Sequence, residues 1–194
     1  MDSSSGLSYI LLVVLVALSA FFSASETALN SINKIRLKNM ADNGDQRAAK
    51  TLEVAEKYES MISTILIGNN IVNIGSASIA TTLFTIWLGA DKGAAISTVV
   101  MTIVVLIFGE VLPKNYAKAN ADSLAMTVAG PISVLMVIFK PLSAVLNFLS
   151  GIMTKLTGGK EDKPSVTEEE LKYLVESIEE EGVLEETESD LVRS

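Results

Sequence analysis

The chain has 194 residues, of which 49% are hydrophobic and 20% charged, and its net charge is −8. The apolar residues come in long uncharged blocks rather than at the dispersed spacing of a soluble core, so the sequence predicts an all-α membrane protein. Because cysteine and histidine are absent, the sequence excludes disulfides, thiolate or imidazole metal sites and a histidine general base.

The negative charge is concentrated at the C-terminal end. Residues 161–194 contain 13 acidic residues against 3 basic ones, whereas residues 1–160 are slightly basic. The acidic character therefore belongs to a tail, and neither part of the chain indicates a nucleic-acid partner.

The first predicted transmembrane helix covers about residues 6–29. It opens with 20 uncharged residues, enough for about 30 Å of helix. A secretory signal peptide would need a basic segment in front of it, and residues 1–6 contain no lysine or arginine. Ser23 and Ser25 lie near the end of this helix, where they either bond back to helix carbonyls or offer oxygen atoms to an inward cavity.

Six basic residues lie in the loop that follows, residues 31–59. By the positive-inside rule they place this loop in the cytoplasm and the N-terminus outside the cell. Asn43-Gly44 is typical of a helix end and a turn, and Asp45 is typical of a helix start. We therefore predict two short amphipathic helices in the loop.

The second predicted span, about residues 60–88, carries an unusual group of amides. Asn70 and Asn73 are three residues apart and share a helix face. Such side chains can simply bond between helices, but three amides within five residues favour the wall of a polar cavity. A tight external turn at Gly89–Gly93 then leads to the third span, about residues 93–113.

Glu110 places a carboxylate at the end of an apolar run, three residues before Pro113. An unpaired charge at membrane depth costs roughly 2.5–3.5 kcal/mol on insertion scales, so a cation, a basic group or a proton is expected as its partner. Pro113 is predicted to break the helix and free the carbonyl of Gly109, and freed carbonyls bind small cations in membrane proteins. The alternative is a solvated glutamate at a helix end.

The next segment, residues 121–154, is apolar but contains Pro131, Lys140 and Pro141. Basic residues flank both of its ends, so we predict a bent, non-spanning juxtamembrane segment in the inner leaflet, which completes a transmembrane domain at residues 1–157.

The C-terminal region is predicted to lie in the cytoplasm. A linker at residues 158–166 precedes an acidic stretch at residues 167–194. This stretch starts with a capping box and carries an apolar stripe at helical spacing, which predicts a pair of acidic helices. The stripe needs a partner, most simply its copy in a second chain.

Three motifs of the chain, taken together, resemble one known family. They are Phe-Ser-Ala-Ser-Glu-Thr-Ala-Leu at residues 22–29, Gly-Asn-Asn-Ile-Val-Asn at 68–73 and Gly-Glu-Val-Leu-Pro-Lys at 109–114. In order and spacing they are similar to the CorB/CorC and cyclin M magnesium transporters over residues 7 to about 192. The resemblance implies a homodimer in which each chain has three transmembrane helices, a juxtamembrane helix and a cytoplasmic acidic bundle. It also implies a pair of ATP-binding CBS domains beyond residue 194.

The resemblance further implies a dehydrated Mg²⁺ ion held between the helices by side-chain and main-chain oxygens. Carried over by motif, the candidate ligands are Ser23, Ser25, Asn70, Asn73, Gly109 and Glu110. Which serine or asparagine binds the ion directly is left open. One carboxylate with neutral oxygens is a lean Mg²⁺ site, so the affinity should be modest, as release during transport requires.

The leading hypothesis is therefore a multi-pass cell-membrane transporter that exports Mg²⁺ by alternating access, with Na⁺ as a candidate coupling ion. The alternative is a Mg²⁺-sensing membrane scaffold that does not transport. An intramembrane serine hydrolase is disfavoured because the chain has no histidine and no Gly-x-Ser-x-Gly pattern. The chain is not expected to be an enzyme.

Overall fold

The computed structural model describes residues 3–145 together with residues 148 and 152. Within this part the chain is helical, with short turns and no β-strand, which confirms the predicted all-α class. The elements in order are α1 (Ser3–Asn30), α2 (Lys34–Asp42), α3 (Gln46–Glu56), α4 (Tyr58–Leu88), α5 (Ala90–Val104), a π-helical segment (Val105–Val111), α6 (Leu112–Ala119) and α7 (Ala121–Ile138). The predicted linker and acidic helices at residues 158–194 lie outside the described residues.

The two predicted short helices after the first span are confirmed as α2 and α3. Gly44 has a φ of +95°, a value that favours glycine, and it makes the turn between them. Asp45 then caps α3, because its carboxylate accepts hydrogen bonds from the backbone N–H groups of Arg47 (2.8 Å) and Ala48 (3.2 Å).

Four helical stretches among the described residues are long and apolar enough to cross a membrane, namely Gly6–Asn30, Tyr58–Leu88, Ala90–Ala119 and Ala121–Ile138. This is one more than the three spans predicted. The extra candidate is α7, which reaches 18 residues because Pro131 lies inside the helix without ending it. The interruption falls instead at Phe139, and the helix resumes at residues 140–145. The four long apolar helical stretches confirm the prediction of a multi-pass membrane protein.

Both ends of α7 contact the same end of the helix bundle. At its start, Asp122 accepts a hydrogen bond from the backbone N–H of Asn33 (3.0 Å) and pairs with Arg36 (3.4 Å), just after α1. Its other end, around Val137, lines a cavity with Lys57, just before α4. Because α1 ends and α4 begins at this end of the bundle, the contacts support a helix lying across it. That α7 does not span the membrane stays a prediction.

The third span differs from its predicted bounds at both ends. At its start, Gly89 alone makes the turn, with φ +82°, and Gly93 is already buried inside α5. The predicted helix break at Pro113 is wrong, because Leu112 keeps helical dihedral angles (φ −63°, ψ −47°) and the chain continues to Ala119. The helix is distorted rather than broken. The π-helical segment lies just before the proline, and such segments accommodate a change in hydrogen-bond register.

The main apolar core lies where α1, α4 and α7 meet. Its members come from five elements and include Phe22, Leu29, Met61, Ile65 and Ile132. Many other large apolar side chains of the long helices are exposed, among them Leu7, Ile74 and Val99, as expected where lipid replaces water as the surrounding solvent.

Candidate cation site

Ser19 is the point at which three elements converge. It lies on α1 and is fully buried, and its hydroxyl donates a hydrogen bond to Oδ1 of Asn69 on α4 (3.2 Å). Gly109, in the π-helical segment, packs directly against it, since a Cβ added to Gly109 would lie 2.8 Å from Ser19 Oγ. The glycine therefore allows the backbone next to Glu110 to approach the polar contact between α1 and α4.

Asn69 and Asn73 form a pair one helical turn apart on α4. The amide N–H of Asn73 donates to Oδ1 of Asn69 (3.3 Å), so this oxygen accepts two hydrogen bonds. Oδ1 of Asn73 is buried and has no hydrogen-bond partner. A buried acceptor without a partner costs about 1–3 kcal/mol, so this oxygen is available to a cation or another donor.

The two candidate serines differ in their bonding. Ser25 is fully buried and its hydroxyl donates to the carbonyl oxygen of Phe21 (2.7 Å), the helix-end arrangement considered above. Ser23 is 1% exposed and its Oγ has no partner. It lies four residues after Ser19, on the same face of α1. Of the two serines, Ser23 is therefore the one with an oxygen available for a ligand.

Glu110 follows Gly109 in the π-helical segment and is partly buried. Its carboxylate makes no hydrogen bond or ion pair with any described residue. Lys114, four residues further on, pairs instead with Glu26 of α1 (3.3 Å). The neighbouring positive charge is thus already matched, and the Glu110 carboxylate stays available.

Pro113 removes one backbone hydrogen-bond donor shortly after Gly109. Proline has no N–H, so Pro113 cannot donate to the carbonyl of Gly109, four residues earlier. The carbonyl of Gly109 lacks this α-helical donor, and the hydrogen bonds of this segment follow a π-helical register, in which the N–H of Leu112 donates to the carbonyl of Ile107.

Asn70 does not lie on the α4 face that carries Asn69 and Asn73. Its side chain is exposed, and its amide donates to the carbonyl oxygen of Leu66 in the same helix (2.9 Å). Ser23, Asn73, Gly109 and Glu110 thus lie within four residues of the contact among Ser19, Asn69 and Gly109, whereas Asn70 lies on another face of α4.

Sequence reasoning assigned no role to Ser19 and treated Asn69 only as a neighbour of the other asparagines. Ser19 lies four residues before Ser23, and Asn69 lies four residues before Asn73. A search at i, i+4 spacing as well as i, i+3 spacing identifies both of them.

The donor set determines which ions fit. In the part of the chain that the structure describes, no group of three or more histidine, cysteine or acidic residues comes together. The oxygens present are hydroxyl, amide and carbonyl atoms with one carboxylate, all hard ligands that suit Mg²⁺ or Ca²⁺. Asn73 also borders a cavity of about 230 Å³ between α4 and α5, lined by hydroxyls that include Thr81 and Ser97.

Comparison with known proteins gives one consistent result. Residues 10–188 match the family described as the cyclin M transmembrane N-terminal domain. The chain is 37% identical to a UPF0053 protein of Haemophilus influenzae over 86% of the chain and 40% of that protein. It is 36% identical to the UPF0053 inner membrane protein YfjD of Escherichia coli over 81% of the chain and 37% of that protein.

A more distant relative has a more specific name. The polyamine export protein of Haemophilus influenzae is 26% identical over 94% of the chain and 45% of that protein. The chain thus spans less than half the length of these relatives. Because the family match covers most of the chain, including all three motifs, the chain belongs to the cyclin M transmembrane domain family.

Proposed function

We propose that the chain is the membrane part of a Mg²⁺ transporter that holds a dehydrated ion between α1, α4 and the π-helical segment. The observation that carries this proposal is a set of available oxygens within four residues of the contact among Ser19, Asn69 and Gly109. Ser23 Oγ and Asn73 Oδ1 are buried without partners, and the carboxylate of Glu110, the residue after Gly109, makes no ion pair with a described residue. Burying such atoms is costly unless a ligand satisfies them.

Each group has a distinct role in this proposal. Glu110 supplies the negative charge, Ser23 and Asn73 supply neutral oxygens, and the carbonyl of Gly109 supplies a main-chain oxygen. Ser19 and Asn69 position this set by linking α1 to α4 (3.2 Å) without themselves needing to bind the ion. Mg²⁺ prefers six oxygens, so the remaining positions are left to water, to Asn70 or Ser25 after a rearrangement, or to a partner subunit.

The proposal includes the arrangement of the whole protein. Two copies form a homodimer in the cell membrane, with the N-terminus outside and the C-terminus in the cytoplasm, where the loop at residues 31–59 carries its six basic residues. Transport proceeds by alternating access, with Na⁺ as the coupling ion, and CBS domains follow residue 194. We assign the chain no enzymatic activity.

Calorimetric titration of the detergent-purified chain with Mg²⁺ tests the site. We expect Glu110→Gln to weaken binding about tenfold or more, because one charge-assisted ligand is worth at least ~1.4 kcal/mol. Glu59→Gln is the matched control, since Glu59 is an exposed glutamate in the first turn of α4. Equal binding in wild type and Glu110→Gln would refute the site.

Liposome flux separates transport from sensing. A transporter moves Mg²⁺ into or out of loaded vesicles, and Glu110→Gln abolishes the movement. Mg²⁺ binding without flux would instead support the alternative, a Mg²⁺-sensing membrane scaffold.

A second candidate cargo is a polyamine, because one relative carries the name polyamine export protein. The ammonium groups of a polyamine could donate to the same oxygens that would bind Mg²⁺. Titration with spermidine in place of Mg²⁺ distinguishes the two. Spermidine binding that is lost in Glu110→Gln, with no Mg²⁺ binding, would favour the polyamine.

A further inference from the structure

A second cavity lies at the end of the bundle where α7 packs, away from the candidate cation site. It has a volume of about 450 Å³, within the usual range for ligand pockets, and is formed by α3, the start of α4 and the C-terminal half of α7. Three of its lining residues are Lys50, Lys57 and Lys140, and one is Glu53.

The charges in this cavity do not balance. Glu53 pairs with both Lys50 (2.9 Å) and Lys57 (2.8 Å), and these lysines lower the pKa of the Glu53 carboxyl to about 2. Lys140 has no carboxylate within ion-pair distance among the described residues. Three ammonium groups therefore line the cavity with one carboxylate, which gives the cavity a net positive charge.

Two of the cavity lysines lie at the ends of apolar helices. Lys57 comes immediately before the candidate span that starts at Tyr58, and Lys140 follows the apolar helix that ends at Ile138. Lysines at such positions extend toward the level of the lipid headgroups. The α7 side of the cavity also carries exposed apolar side chains, since Val134 and Val137 are 59% and 73% accessible. The cavity thus has basic side chains next to exposed apolar side chains.

We propose that this cavity binds the phosphate of an anionic phospholipid, with Lys140 as the principal contact and Lys50 and Lys57 completing the positive field. The acyl chains lie along Val134 and Val137. Basic pockets between membrane helices are known to hold lipid headgroups in this way. The bound lipid would fix α7 against α3 and α4, independently of any ion at Glu110.

Native mass spectrometry of the full chain in detergent tests the proposal. We expect phosphatidylglycerol to bind at least several-fold more tightly than phosphatidylcholine. Lys140→Gln should reduce phosphatidylglycerol binding about fivefold, the usual effect of one basic residue near an anionic lipid. Lys140→Arg should retain binding. The matched control is Lys118→Gln, because Lys118 is an exposed lysine on α6 outside the cavity.

Three results would overturn the proposal. Equal losses in Lys140→Gln and Lys118→Gln would show that attraction to anionic lipid is spread over the surface. Displacement of the lipid by an equal concentration of glycerol phosphate would show that the ligand is a free phosphate. A zero-length cross-link from Lys140 to a carboxylate in residues 161–194, persisting in phosphatidylglycerol vesicles, would show that the acidic tail occupies the cavity.

Discussion

Gly93 lies where α5 comes closest to α4, and the absence of a side chain there lets the two backbones touch. A Cβ added to Gly93 would lie 2.5 Å from Thr85 Cα and 2.6 Å from Thr85 N. Favourable carbon contacts are about 3.5–4.0 Å, so Gly93→Ala requires the helices to separate by about 1 Å. The clashing atoms belong to the backbone and cannot rotate away. We therefore expect the upper part of the usual overpacking range, about 2–3 kcal/mol of lost stability.

Alanine is also the better helix former, by about 0.8–1.0 kcal/mol, and this partly offsets the clash. Gly75→Ala is the control that removes this contribution. A Cβ at Gly75 would meet only the Leu15 side chain at an ordinary 3.4 Å. Both variants replace a helical glycine with alanine, so the difference between their unfolding free energies mainly reports the clash.

Unfolding by sodium dodecyl sulfate in mixed micelles provides the measurement. The single tryptophan, Trp87, reports on the turn between α4 and α5 because it lies close to Gly89 and contacts Tyr9 of α1 (ring centroids 5.8 Å apart). We expect Gly93→Ala to unfold at least about 2 kcal/mol more easily than Gly75→Ala. Equal stability of the two variants would refute the close approach of the two backbones.

Two further predictions concern single contacts. Ser19→Ala should lower the unfolding free energy by about 0.6 kcal/mol, the mean value for a hydrogen bond between membrane helices, and an unchanged value would mean that the Ser19–Asn69 contact contributes nothing. Lys57→Gln should raise the pKa of Glu53 from about 2 toward 4.5, as followed by the NMR shift of its carboxyl carbon, because Lys57 is the largest cause of the lowering. Since that pKa is depressed in the fold, the stabilisation is present above about pH 4.5 and is lost as the pH falls toward 2. Lys118→Gln should leave the titration unchanged.

The sequence by itself determined the class of the protein and the position of its main elements. Uncharged blocks long enough for a bilayer can form only helices there, because every backbone group must be bonded internally. The local turn signals were also sufficient at Gly44 and Asp45, where the φ angle and the cap bonds depend on neighbours in sequence alone. The predicted spans likewise placed Ser23, Asn73 and Glu110 on helical elements.

Only the tertiary structure decided which of the predicted oxygens are available. Ser23 and Ser25 look alike in sequence, yet one hydroxyl is unpartnered and the other is bonded to a helix carbonyl. The structure identified Ser19 through its contact with Gly109, a residue distant in sequence. The helix also continues past Pro113, which lies in the first turn of α6, and α6 packs against α1 there. Periodicity places a residue on a face, but the neighbouring helix determines whether that face has a partner.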